Sequence, residues 1–297
     1  MKAVDTYPSA RRATLRVAAT GLLLCTVTGC FESFMKDPAP ALPDTAGLAP
    51  ALLPGVVDRL GALAFRMKLS RSKLSHNASD RALIEKVKHR LLEGAAQTEF
   101  ADTARQFDWQ VAVVQSPQVN AVALPGGKII VYTGLLQRRP DLPPVEQRLA
   151  VALGHEMVHA LARHAAQRID KELQTALELA VTGKELSDAK LDPAATAGLM
   201  TAMGITYEGA VMRPFTAEQE SEADHVGLLI TAQAGFEPRA AVTFWEQMSK
   251  LSHGKKPIEL LTMHPSYDVR IAQLKGWMDD AETQYQRARL ASAQNNG

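Results

Sequence analysis

Two histidines, His155 and His159, carry the strongest chemical signal in the sequence, in the segment HEMVH at 155–159. Residues four positions apart lie on one face of a helix, so both imidazoles can reach the same metal ion. Neutral imidazoles suit Zn²⁺, whose open fourth position can hold a water in a catalytic site. Glu156 lies one position along and can reach that water from the side. The segment therefore predicts a zinc site on a buried helix.

A zinc site of this kind needs a third protein ligand, and two glutamates are candidates. A metzincin would have a histidine at position 165, but Ala165 stands there and His164 is one residue short. Glu178 follows at a spacing near that of aminopeptidase-like and thermolysin-like sites. Glu220 lies farther along, in the acid-rich segment EQESEAD at 218–224. Spacing alone does not choose between the two glutamates.

The surroundings of Glu220 favour it as the ligand. Thr216 is a suitable N-cap for its helix, and Asp224 follows one helical turn later. Ala223 and Gly227 are small enough to let this helix approach the histidine helix closely. Glu178, by contrast, lies in a segment typical of an ordinary amphipathic helix with an exposed carboxylate.

These residues need helices and a small sheet to position them. The segment at 109–115 alternates and is rich in valine, and 120–124 and 128–132 are further β-like stretches, joined through Gly126 and Gly127. A hairpin or small meander is expected there. From Pro144 the chain is expected to be helical almost to its end. The pattern predicts one α+β domain, mainly helical, with a small sheet beside the HExxH helix.

Two helix boundaries can be predicted from the sequence as well. Asp80 is the expected N-cap of a helix whose apolar face holds Ile84, Val87 and Leu91. A last helix is expected to start near Pro265, because proline favours the first helical turn. Its apolar positions are Ile271, Leu274, Met278, Ala281 and Tyr285.

Composition excludes several classes of protein. The chain has 297 residues, of which 46% are apolar, so it can bury a sizeable core. The formal net charge of +1 gives no basic field for nucleic acid. The only cysteines, Cys25 and Cys30, cannot form a disulfide framework or a cysteine-rich zinc site.

The N-terminus has the features of a targeting segment. Basic residues precede a short apolar stretch at 17–28, and the segment VTGC at 27–30 resembles the lipobox of bacterial lipoproteins. We therefore predict a signal peptide over residues 1–29, cleavage before Cys30 and lipidation of that cysteine. Phe31, where an aspartate would favour the inner membrane, favours the outer membrane and thus a periplasmic location.

Further boundaries follow from local composition. Five prolines between residues 36 and 55 predict an extended tether over 30–55. The enzyme-like domain is then predicted over 56–291, and a flexible tail over 292–297.

Two segments together resemble a known family. LGHEMVH at 153–159, followed by ESEAD at 220–224, is similar to the gluzincin peptidases that include HtpX and the CAAX prenyl endopeptidase. Their pattern is HExxH and then a distant ExxAD on a second helix. Because the chain lacks a long apolar stretch, it most resembles the soluble periplasmic and lipoprotein branch. NAVALPGG at 120–127 and the HP pair at 264–265 with Arg270 fit that branch as well.

The resemblance implies a role for each matching residue. One Zn²⁺ per chain would be held by His155, His159 and Glu220. Glu156 would be the catalytic base that takes a proton from water and passes it to the leaving amine. Asp224 would accept the N–H of a ligating histidine and fix its orientation.

Two interpretations stay open for each of three more residues. Asn120 would either mark an edge strand that pairs with extended substrate or simply start a plain hairpin. His264 would lie over the metal, as an oxyanion partner or a fourth ligand, or would only cap a helix. Arg270 would stabilise the oxyanion or form a structural ion pair. The other histidines, His164 among them, are expected on the surface or in structural contacts.

The function implied is that of a zinc endopeptidase tethered to the bacterial envelope. Its substrates would be misfolded or damaged envelope proteins, cleaved by a metal-activated water. The alternative is a chaperone or assembly factor for outer-membrane proteins, with proteolysis latent. The segment at 182–216, which contains Met200, Met203 and Met212, matches no motif, and its methionines are expected to be core residues rather than a substrate-binding rim.

Overall fold

The computed structural model describes residues 53–168, 215–252 and 267–295. The described elements, in chain order, are α1 (Leu53–Ser70), α2 (Ala78–Ala95), α3 (Ala101–Gln106), β1 (Gln110–Val114), β2 (Ala121–Leu124), β3 (Lys128–Tyr132), α4 (Thr133–Leu136), α5 (Val145–Leu161), α6 (Ala217–Gln233), α7 (Arg239–Ser252), α8 (Tyr267–Gly276) and α9 (Met278–Asn295). Helices dominate and a small sheet lies among them, which confirms the predicted α+β class. Within these residues, no helix combines the length and apolarity that crossing a bilayer requires.

The sheet has the strand order β1–β3–β2. β2 and β3 form the expected antiparallel hairpin, and its turn uses Gly126 and Gly127 at φ values of 74° and 77°. β1, however, pairs in parallel with β3, so the strands do not continue as a meander. This order leaves β2 at one edge of the sheet, where it packs against α5.

Glycine allows α5 and α6 to pack closely. A Cβ atom on Gly154 would lie 2.5 Å from Oγ1 of Thr231, and one on Gly227 would lie 3.0 Å from the backbone nitrogen of His155. Both distances are shorter than ordinary van der Waals contact. The two backbones therefore meet beside the HExxH segment, which confirms the close approach of these two helices.

The starts of α2 and α6 follow capping chemistry. Thr216 caps α6 as predicted, and Gln219 completes a reciprocal capping box. The N-cap predicted at Asp80 was wrong, because Asn77 occupies that position and its Oδ1 accepts from the backbone N–H of Ser79. Asp80 lies instead in the first turn of α2, where its charge favours the helix dipole. The predicted face of α2 is buried: Ile84, Val87 and Leu91.

The single last helix predicted from the sequence is two helices in the structure. α8 ends at Gly276 and α9 begins at Met278. Glycine is a poor helix former, and the ring of Trp277 stacks on His225 of α6 with centroids 4.5 Å apart. The helix is interrupted there while Leu274, Met278 and Ala281 stay buried.

The ends of the described domain differ from the predicted boundaries. α1 begins at Leu53, inside the predicted tether 30–55, with Pro54 in its first turn, where proline is tolerated. α9 runs to Asn295, into the predicted tail 292–297.

Candidate metal centre

Helix α5 brings the two motif histidines together. Nε2 of His155 lies 3.1 Å from Nε2 of His159, as expected for residues one turn apart. The side chains of both histidines are almost fully buried. Two imidazole nitrogens therefore face one point inside the protein.

Glu220 reaches the same point from the first turn of α6. Its Oε2 lies 3.5 Å from Nε2 of His155, and its Oε1 lies 3.6 Å from Nε2 of His159. The ligand atoms of the three residues all lie within 4.8 Å of one another. A tetrahedral ion with bonds of about 2.0–2.1 Å places its ligand atoms about 3.3 Å apart, so this donor set fits Zn²⁺.

Asp224 and Arg270 contact the candidate ligands His155 and Glu220. Oδ1 of Asp224 lies 2.9 Å from Nδ1 of His155, and Nε of Arg270 donates to Oδ2 of Asp224 at 2.5 Å. A second nitrogen of Arg270 donates to Glu220, and its guanidinium lies 4.1 Å from the centroid of the Trp245 ring. Arg270 thus balances two buried carboxylates. Of the two roles expected for it, the contacts match the ion pair.

Glu156 faces the sheet. Its Oε2 accepts a hydrogen bond from the backbone N–H of Ala123, in the edge strand β2, at 3.0 Å. The residue is 2% exposed, yet it is not one of the three clustered donors. It is therefore held next to the candidate metal site without belonging to the ligand set.

Asn120 immediately precedes β2. Its backbone oxygen accepts from Tyr132 N–H at 3.1 Å, so it continues the ladder with β3. Its side chain is buried, and neither amide atom has a hydrogen-bond partner among the described residues. Asn120 therefore places a buried amide at the start of the edge strand.

His164 lies in a structural contact, one of the two places expected for it, but its contact with His159 was not predicted. It is fully buried, with Nδ1 2.8 Å from Nδ1 of His159 and Nε2 3.3 Å from Oε2 of Glu222. Burial lowers the pKa of His164, while the hydrogen bond with Glu222 acts in the opposite direction. Helical periodicity could not locate it, because α5 ends first and Arg163 adopts a left-handed φ of 57°. Glu222 is exposed, but its carboxylate still reaches His164.

Several predicted residues lie outside the described ranges. They are Cys30, the rival ligand Glu178, His264, and residues 182–214 of the unassigned segment with their methionines.

The fold and this donor set are those of a metallopeptidase domain with the HExxH…ExxAD pattern. The chain belongs to peptidase family M48, whose family model matches residues 82–278. The predicted gluzincin membership is confirmed at this level, whereas the lipoprotein branch stays a prediction.

Curated relatives agree with the family. The mitochondrial metalloendopeptidase OMA1 of Schizosaccharomyces pombe is 32% identical over 178 residues, which cover 59% of this chain and 48% of the relative. OMA1 of Arabidopsis thaliana is 38% identical over 161 residues, which cover 54% of this chain and 30% of the relative. The beta-barrel assembly-enhancing protease of Escherichia coli is 26% identical over 166 residues, which cover 55% of this chain and 33% of the relative. The chain thus spans half or less of the length of these relatives.

Proposed function

We propose that this protein is a zinc-dependent endopeptidase tethered to the bacterial envelope, where it hydrolyses misfolded or damaged envelope proteins. The observation that carries the proposal is the buried cluster of His155, His159 and Glu220, whose ligand atoms lie within 4.8 Å of one another. A buried carboxylate, Glu156, lies beside that cluster. The residues proposed as ligands and the residue proposed as base therefore lie next to one another.

Each residue has a distinct task in the proposed reaction. His155, His159 and Glu220 would hold one Zn²⁺ per chain, which supplies Lewis-acid polarisation of the scissile carbonyl and acidifies a water. Glu156 takes the proton of the attacking water and delivers it to the leaving amine. Asp224 orients His155 through its Nδ1, 2.9 Å away.

The edge strand β2 is the proposed substrate-binding strand, with Asn120 at its start. Tyr132 N–H donates to Asn120 O, so these two residues form a hydrogen-bonded pair of the antiparallel ladder. Hydrogen-bonded and non-hydrogen-bonded pairs alternate along such a ladder, and therefore the N–H and C=O groups of Ala121 and Ala123 point away from β3. The Ala123 N–H indeed lies on the side of Glu156. An extended peptide pairing with this edge would lie across the base. The position of Asn120 at the start of this edge, with its side chain buried, supports this role over that of a plain hairpin.

Proteolysis of an unfolded protein tests the activity. The protein lacking residues 1–30 is expected to cleave unfolded casein, to lose this activity with a chelator and to regain it with Zn²⁺. Gel analysis of casein fragments over time measures it. If the zinc-loaded protein cleaves nothing under any condition, a latent or chaperone-like state is favoured instead.

The envelope location rests on the N-terminal sequence. We propose that residues 1–29 are removed and that lipidated Cys30 anchors the domain, over residues 56–291, in the periplasm at the outer membrane. Several acyl chains hold a protein firmly where one would be marginal.

Replacing the cysteine tests the anchor. Cys30→Ala is expected to abolish incorporation of labelled palmitate and to slow processing of the precursor, because the lipid would have no attachment point. Labelling and cell fractionation in a bacterial host measure both. Palmitate incorporation equal to that of the parent chain would exclude the lipidation site.

The name of a relative supports a second candidate function. The Escherichia coli protein of 26% identity is named a beta-barrel assembly-enhancing protease. By analogy, this chain would bind unfolded outer-membrane proteins and assist their assembly, with cleavage secondary.

A further inference from the structure

The two candidate histidine ligands have different partners at Nδ1, the ring nitrogen that faces away from the candidate metal site. His155 has a carboxylate directly at its Nδ1, that of Asp224, at 2.9 Å. His159 has a second imidazole at its Nδ1, that of His164, at 2.8 Å. The ExxAD motif accounts for the first support, and no motif accounts for the second.

Hydrogen-bond chemistry decides the proton positions in the second support. Two Nδ1 atoms at 2.8 Å cannot both carry hydrogen, so one donates and the other accepts. When His159 binds a metal through Nε2, its Nδ1 must carry the proton of the neutral ring. The Nδ1 of His164 is then the acceptor, and the single proton of that ring resides on Nε2.

The proton on Nε2 of His164 points to a carboxylate. Oε2 of Glu222 lies 3.3 Å from this nitrogen. His159 therefore donates its Nδ1–H to Nδ1 of His164, and His164 donates its Nε2–H to Oε2 of Glu222. Each of these two donors has an acceptor. On the other side, the ring of Phe215 stacks on His159 at a centroid distance of 3.8 Å and an interplanar angle of 12°.

We propose that His164 and Glu222 are positioning residues for the zinc ligand His159. They would fix its tautomer, stop its ring from turning and raise the basicity of Nε2, as Asp224 does for His155. The inference rests on the proposed zinc site, since His159 must bind metal through Nε2. The contact with His164 comes from the left-handed turn at Arg163, immediately after α5.

The packing explains why His164 is built into this place. Its imidazole is fully buried, so it loses solvent hydrogen bonds that His159 and Glu222 replace. Arg163, which has the left-handed conformation there, is itself held by Asp58 at 3.0 Å. The backbone turn is therefore anchored independently of the metal site.

Zinc affinity of two substitutions at one position tests the proposal. His164→Leu fills the space without an acceptor and is expected to weaken zinc binding by about 10- to 100-fold. His164→Asn puts its Oδ1 near the position of Nδ1 and is expected to restore most of that affinity. Competition with a chromophoric chelator measures the dissociation constants. The Co²⁺ absorption spectrum should change in the leucine variant and return towards that of the parent in the asparagine variant.

Control variants separate positioning from general destabilisation. His89→Leu replaces an exposed histidine of α2, whose side chain is 75% exposed, and should bind zinc like the parent. Thermal unfolding of the metal-free proteins reports any loss of folding. Equal zinc affinity in His164→Leu and the parent would overturn the proposal. A parent that binds no zinc would instead overturn the proposed function.

A double-mutant cycle tests whether Glu222 acts through His164. Glu222→Ala is expected to weaken zinc binding in the parent and to add no further loss in the His164→Leu background. Glu218→Ala, in the exposed part of the same helix, is the matched control. An equal loss from Glu222→Ala in both backgrounds would remove Glu222 from the support.

Discussion

Glu220→Gln is expected to lose tightly bound zinc and proteolysis together. Its Oε2 lies 3.5 Å from Nε2 of His155, and its Oε1 lies 3.6 Å from Nε2 of His159. The glutamine would offer a neutral amide, which is a poor ligand for Zn²⁺. Activity should fall to the background of the chelator-treated protein. Metal analysis of the purified variant and casein cleavage measure the two effects.

Two glutamates serve as controls for this substitution. Glu178→Gln, at the rival ligand position, should keep both zinc and activity, and so should Glu218→Gln in the same first turn of α6. Because Arg270 also contacts Asp224, the fold is expected to survive the change at Glu220, which circular dichroism can verify. Full zinc occupancy in the Glu220 variant, with loss in the Glu178 variant, would reverse the ligand assignment.

Glu156→Gln is expected to keep zinc and lose catalysis. Glu156 is not among the clustered donors, so the metal should remain at full occupancy. The glutamine oxygen can still accept from Ala123 N–H, as Oε2 does at 3.0 Å, so the local geometry is preserved. Removing a general base should lower kcat by about 10²- to 10⁴-fold. Initial rates at saturating peptide, together with metal content, measure the outcome.

The same variant separates the two candidate functions. An envelope protease would no longer protect cells when its base is removed, whereas a chaperone would be unaffected. Complementation of a deletion strain with Glu156→Gln tests this. Protection as good as that of the parent chain would end the protease interpretation of its biological role, even if the purified parent cleaves casein.

Much of the candidate site could be predicted because it depends on local geometry. Residues four apart on a helix share a face whatever surrounds them, so their spacing alone places His155 and His159 side by side. The same argument places Asp224 one turn after Glu220. Small residues, Gly154 and Gly227, indicate where two helices can touch, and the structure confirms that contact.

Other features could not be predicted because they depend on where chain segments meet in space. Arg270 and Ala123 lie far in sequence from the carboxylates they contact, and either could have had other partners. The sequence pattern did not predict the interruption between α8 and α9 at Trp277, nor the contact of the Trp277 ring with His225 of α6.

The sequence alone therefore determined which groups could do chemistry in this protein: the pair of imidazoles, the glutamate beside them and a candidate carboxylate ligand on a second helix. Tertiary packing decided how those groups are held. His164 shows the difference most clearly, because a helix continued past Leu161 would carry it away from the face of His159. The left-handed turn at Arg163 brings it back, and in its buried position His159 and Glu222 are its hydrogen-bonding partners. Periodicity extends only as far as a helix does, and beyond its end the packed structure decides which side chains meet.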